Sequence, residues 1–83
     1  MQINVHYGTD VFRAAVEPDE RADRLLLKSL HHFDIETEIE GREPGWMLRP
    51  RGAARGTDRI VLDHAVGEQL DDGAELVLER DVA

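Results

Sequence analysis

The sequence predicts an α+β fold in which one helix lies across a mixed β-sheet, and two observations carry that reading. Apolar and polar residues alternate with a period of two at both ends of the chain, and a single amphipathic helical stripe lies between those ends. The predicted order is strand, strand, helix, strand, strand, strand.

Ile3, Val5 and Tyr7 alternate with Gln2, Asn4 and His6, which predicts a strand over residues 2–7. Gly8-Thr9-Asp10 is a short polar break. Beyond it Phe12, Ala14 and Val16 alternate with Val11, Arg13 and Glu17, so the two strands are expected to pair as an antiparallel hairpin. Pro18 ends ladder donation, and Asp19 offers a carboxylate as N-cap to a helix over residues 19–33. Acids crowd the start of that helix while Lys28, His31 and His32 lie toward its end, as the helix dipole favours. Ala22, Leu26, Leu30 and Phe33 form its apolar stripe, widened by Leu25, with Leu27 and Ser29 off the stripe.

Ile35, Thr37 and Ile39 alternate with glutamates, which predicts an extended edge segment over residues 34–40, followed by turn chemistry at 41–45. Trp46, Met47, Leu48 and Arg49 are expected to form the next strand, with Trp46 and Leu48 facing inward and Pro50 as its stop. Residues 51–58 read as a loop, Ile60, Val61 and Leu62 as a short strand, and 63–70 as room for a single helical turn. Asp71-Asp72-Gly73 turns the chain into a last strand over residues 75–80. A helix following a hairpin must cross the sheet so that later strands can pair beside the first, which is the β-grasp arrangement. The expected core is Ile3, Val5, Phe12, Ala14, Val16, Ala22, Leu26, Leu30, Trp46, Leu48, Leu62, Leu70, Leu76 and Leu78.

Composition narrows the function. The 83 residues suit one domain spanning 1–83, and the absence of cysteine excludes a disulfide framework or thiolate metal site. Eighteen acidic residues against ten basic ones give a net charge of −8, which repels nucleic acid and anionic lipid. No signal-like segment and no apolar run of about 18 residues is present, so a cytoplasmic protein without direct membrane insertion is expected.

Constellations for chemistry are weak. His31 and His32 project about 100° apart on a helix and cannot easily share a metal with His6 or His64. The acidic run Asp34, Glu36, Glu38, Glu40 and Glu43 lacks the spacing and turn glycine of a calcium loop, and reads instead as a solvated edge. Gly52 to Thr57 has no lysine beside its threonine and no strand-to-helix context, so it is a poor phosphate loop. His64 has no nucleophile or orienting acid in a triad context. No catalytic residue, cofactor or metal is therefore expected.

One charge asymmetry stands out: Arg49, Arg51, Arg55 and Arg59 fall within eleven residues that hold only Asp58 as a counter-charge. They read either as intramolecular partners of the 35–43 segment or as a docking patch whose guanidinium forks reach partner carboxylates. On the exposed sheet face Met47 and Arg49 would project beside Val77 and Glu79. The candidate partner-binding residues are Met47, Arg49, Arg51, Arg55, Arg59 and Val77, with a protein as the partner.

The run Gly45-Trp46-Met47-Leu48-Arg49, an irregular glycine-containing loop, and Leu70-Asp71-Asp72-Gly73-Ala74-Glu75-Leu76-Val77-Leu78 resemble a family pattern. It is the tryptophan-led strand and Asp-Gly ending of the YukD-like small ubiquitin-like proteins and of the ubiquitin-like domains in type VII secretion components. That resemblance covers nearly the whole chain. It implies a ubiquitin-like β-grasp, non-conjugated and cytoplasmic, that binds components of a bacterial secretion machine. The alternative is a ubiquitin-like modifier or sulfur carrier, whose chemistry needs a C-terminal Gly-Gly; no glycine follows Gly73, so neither adenylation nor thiocarboxylate formation is expected. A small enzyme or toxin is the third class, disfavoured because no nucleophile, base and orienting acid assemble from the motifs.

Overall fold

A computed structural model describes residues 1–35, 45–52 and 59–80. Strand β1 (Gln2–Tyr7) turns at Gly8 into β2 (Asp10–Ala15), and the two pair antiparallel from Gln2 against Ala15 to Tyr7 against Asp10. Helix α1 (Ala22–His32) follows, then β3 (Trp46–Pro50), a 3₁₀ turn at Val66–Glu68 and β4 (Glu75–Arg80). The sheet order is β2-β1-β4-β3, with β1 and β4 parallel at its centre and β3 antiparallel to β4. Hairpin formation is local, whereas the central parallel pair joins the two ends of the chain. The turn into β4 is secured by the Gly73 N–H, which donates to the Gln2 carbonyl at 2.7 Å, and by Asp72, whose Oδ1 accepts from the Gln2 N–H at 2.6 Å. Gly73 takes φ of +87°, a left-handed conformation that costs glycine little.

Because successive strand residues point to opposite faces, Ile3, Val5, Leu48, Leu76 and Leu78 form a continuous inner surface that meets Leu25, Leu26 and Leu30 of α1. Ala14, Val16, Ala22, Trp46, Ile60 and Val66 complete the buried cluster. Phe12, Leu62 and Leu70, expected inside it, are only partly buried and pack against its rim.

Three expectations are corrected. The helix begins at Ala22 instead of Asp19, because its first free amides are not capped by a side chain: the N–H groups of Ala22 and Asp23 donate to the carbonyls of His64 and Leu62 at 2.9 and 2.8 Å. Residues 60–62 are not a strand; Ile60 donates one bond to Leu48 O, and Val61 is held by the Gln69 side-chain amide in both directions. Strand β3 does end at Pro50, as expected, with Pro50 opposite Leu76. Ser29 is fully buried, since its hydroxyl donates to the Leu25 carbonyl at 2.8 Å and so enters the core already satisfied. Residues 36–40 of the edge segment expected at 34–40, residues 41–44 of the turn expected at 41–45, most of the 51–58 loop and the tail at 81–83 lie outside the described residues.

Candidate functional site

The face of the sheet turned away from α1 carries Asn4 and His6 on β1, Val11 and Arg13 on β2, Glu75, Val77 and Glu79 on β4, and Met47 and Arg49 on β3. Register aligns them in rows: Asn4 stands beside Arg13 and Glu75, while Val77 stands between His6 and Arg49. Cross-strand neighbours at such spacing interact directly.

Two polar groupings result. Gln2 Nε2 donates to Asn4 Oδ1 at 3.2 Å, Asn4 Nδ2 donates to Glu75 Oε2 at 2.6 Å, and His6 Nε2 meets Glu75 Oε1 at 2.5 Å. The hydrogen bond from His6, then that from Asn4, lowers the Glu75 pKa below the usual carboxylate value, and desolvation opposes the shift. On the other side of Val77, Arg49 grips Glu79 with two parallel bonds, Nε to Oε2 at 3.1 Å and Nη2 to Oε1 at 2.5 Å. The hydrogen bond to Glu79 is the largest cause of a guanidinium pKa raised above its ordinary value. This bidentate geometry is the strong form of a charge-assisted contact.

An open cleft of about 440 Å³ lies between β3, the start of α1 and residues 59–63, lined by Trp46, Met47, Ile60 and Leu62 together with Arg21, Asp23 and Arg59. Asp23 is engaged by Arg21 at 2.9 Å. Among the described residues no three His, Cys, Asp or Glu side chains gather to hold a metal ion, and no helix is long and apolar enough to cross a membrane.

No family model and no curated protein matches this sequence. Solved structures do match. A chain solved in work on molecular mimicry of SUMO in DNA repair superposes with a TM-score of 0.71 at 11% identity, over 95% of this chain and 89% of that one. An N-terminal ubiquitin-like domain gives 0.67 at 10% identity, over all of this chain and 76% of that one. The fold is the ubiquitin-like β-grasp. A chain of the toluene 4-monooxygenase HD complex with 4-bromobenzoate has a TM-score of 0.66 at 18% identity and 93% coverage of both chains. Identities this low establish the ubiquitin-like architecture and nothing finer.

Within this ubiquitin-like domain the candidate partner-binding residues fall into three groups. Met47, Arg49 and Val77 do share the outer face, as the alternation predicted. Met47 and Arg49 are nevertheless only 8% and 9% exposed, and Val77 is half-buried. The picture of Arg49 as a projecting fork is therefore corrected, because its fork closes on Glu79 of the neighbouring strand. Arg51 and Arg59 are exposed, Arg51 just past β3 with its N–H donating to Glu75 O, and Arg59 beside the cleft. Arg55 lies outside the described residues. Sequence reasoning missed the Asn4–Glu75–His6 grouping. Its only signal was the polar half of the β1 alternation, which acquires meaning once β4 is placed beside β1.

Proposed function

We propose that this domain is a non-catalytic protein-interaction module that docks a partner protein on the outer face of its sheet, centred on Val77 and Met47 and bordered by Arg51 and Arg59. The observation that carries the reading is the pre-pairing of the face: Arg49 is already locked to Glu79, and Glu75 to Asn4 and His6. A face whose charges are fixed before a partner arrives loses less side-chain freedom on binding.

The finer reading is a cytoplasmic accessory of a bacterial type VII secretion system, supported by the tryptophan-led β3 and the Asp72-Gly73 entry into β4 that resemble the YukD-like proteins. Solved neighbours of this fold occur in assemblies: besides the monooxygenase complex, a matching structure is of ATBAG1 in complex with HSP70, at 14% identity, where this chain spans 40% of that chain.

The test is capture of the partner by the tagged domain, compared with Val77→Lys and Arg51→Glu. Both variants are expected to stay folded by circular dichroism and to lose the partner; undiminished capture by both removes the outer face from consideration. For the finer reading, purified cytoplasmic regions of a type VII secretion membrane component serve as bait. No binding to the wild-type domain would reject it.

A further inference from the structure

The irregular segment that follows Arg59 is fastened to the two elements on either side of it. Ile60 donates its N–H to Leu48 O on β3 at 2.9 Å, while Leu62 O and His64 O accept from the N–H groups of Asp23 and Ala22 at the start of α1. The cleft of about 440 Å³ is lined by this segment and by both elements it joins, so its shape is set by bonds already made. The nearly buried part of its lining is apolar: Trp46, Met47 and Ile60. Val61 also lines it, yet is 46% exposed. That exposure is imposed by Gln69, whose Oε1 accepts from the Val61 N–H at 2.7 Å and whose Nε2 donates to the Val61 carbonyl at 2.9 Å. Because Val61 adjoins Ile60 and Leu62 in one lining, it belongs to an apolar patch instead of standing as a lone surface valine.

We propose that this cleft anchors the docked partner protein by receiving one bulky apolar side chain that is followed, in the partner's sequence, by a carboxylate. The inference rests on the outer-face reading above and deepens it. Two observations select this occupant. Met47 belongs to both surfaces, since it stands in the outer row opposite Glu79 and also lines the cleft. A partner lying over Val77 and Met47 therefore reaches the cleft around the β3 edge. The second observation is charge. Arg21 and Arg59 line the cleft, and Arg80 lies over the Trp46 ring at 5.5 Å from its centroid. Against these guanidiniums stand two carboxylates, Asp63 and Asp23, the latter already held by Arg21 at 2.9 Å. Acids outnumber bases eighteen to ten in the whole chain, so the balance is reversed here.

A guanidinium has five N–H donors, and Arg21 gives one of them to Asp23, which leaves others to reach an incoming carboxylate. A small anion alone would leave the apolar lining without a contact, and a basic segment would meet the guanidiniums. An apolar side chain beside an acid satisfies both parts of the lining. A buried anchor of this kind is where the binding energy of an interface concentrates.

The chain's single tryptophan lines the cleft, so its own emission reports occupancy. The experiment titrates the ¹⁵N-labelled full chain with the capped tetrapeptide Gly-Phe-Glu-Gly, and with Gly-Ala-Glu-Gly and Gly-Phe-Lys-Gly as controls. The first peptide is expected to change Trp46 emission and to shift the amides of Ile60, Val61 and Leu62 at millimolar concentration. Loss of the apolar anchor in the alanine peptide should weaken binding by about tenfold or more. The lysine peptide should bind about threefold more weakly or worse. Val61→Glu and Arg59→Glu, both at exposed positions and both expected to stay folded by circular dichroism, should each weaken binding of the first peptide by about threefold or more. Val77→Lys should leave peptide binding unchanged while removing partner capture, so failure of the cleft and failure of the outer face are read separately. Equal binding of the three peptides, insensitivity to both cleft variants, shifts centred on Val77, or no binding at millimolar peptide would overturn the proposal.

Discussion

On the inner face of the sheet Ile3, Val5, Leu48, Leu76 and Leu78 are sealed against α1, whereas on the outer face Asn4 and His6 are tied to Glu75, and Arg49 to Glu79, across the strands. Inner contacts are non-directional and stabilise in proportion to the apolar area removed from water. Outer contacts are directional, partly solvated, and contribute less to folding than to shape. The contrast teaches that stability and recognition are assigned to opposite sides of one layer of strands. Substitutions on the two faces should therefore affect different measurements.

The largest effect is expected on the inner side. Leu26→Ala empties a site that is 2% exposed and should cost about 2 to 5 kcal/mol in urea unfolding, a large share of the total for a domain of this size. Next comes Gly67→Ala at the closed end of the fold. A Cβ there would lie 2.8 Å from both the Cβ and the carbonyl oxygen of Pro18, and Gly67 N already donates to that oxygen at 2.7 Å. A loss of about 1 to 3 kcal/mol is expected, read in the same assay.

Outer-face changes should register more weakly in unfolding and more strongly in shape or binding. Glu75→Gln addresses pH: because the folded-state pKa of Glu75 is depressed, its contribution is present above the unfolded carboxylate pKa and is lost as pH falls through the lowered folded value. The variant should lower the neutral plateau modestly and leave stability at the acid end unchanged, which flattens the acid limb of a stability–pH profile. An acid limb identical to the wild type would place the stabilisation elsewhere. Val77→Lys should disturb unfolding least of all, since Val77 is half-buried and surrounded by already paired groups, yet should abolish partner capture.

Much of this architecture was legible in the sequence because it rests on local patterns. The bounds of β1 and β4 follow directly from alternation, and the turn at Asp72-Gly73 from its chemistry. The start of α1 was not legible, since carbonyls some forty residues away in sequence do the work that Asp19 was expected to do. Ile60 and Val66 enter the core from an irregular segment with no period to read. Likewise Arg49 looked available in sequence because its partner, Glu79, is its neighbour only after β3 and β4 pair with Arg49 opposite Val77. The outer face could be placed from alternation, but its internal pairing could not.

The most direct test of the account is amide chemical-shift mapping of the labelled domain with the partner it captures. The account predicts that the largest changes fall at Val77, Met47 and Arg51. Unmoved signals at those residues, with the changes confined to the solvent side of α1 around Leu27, would contradict it.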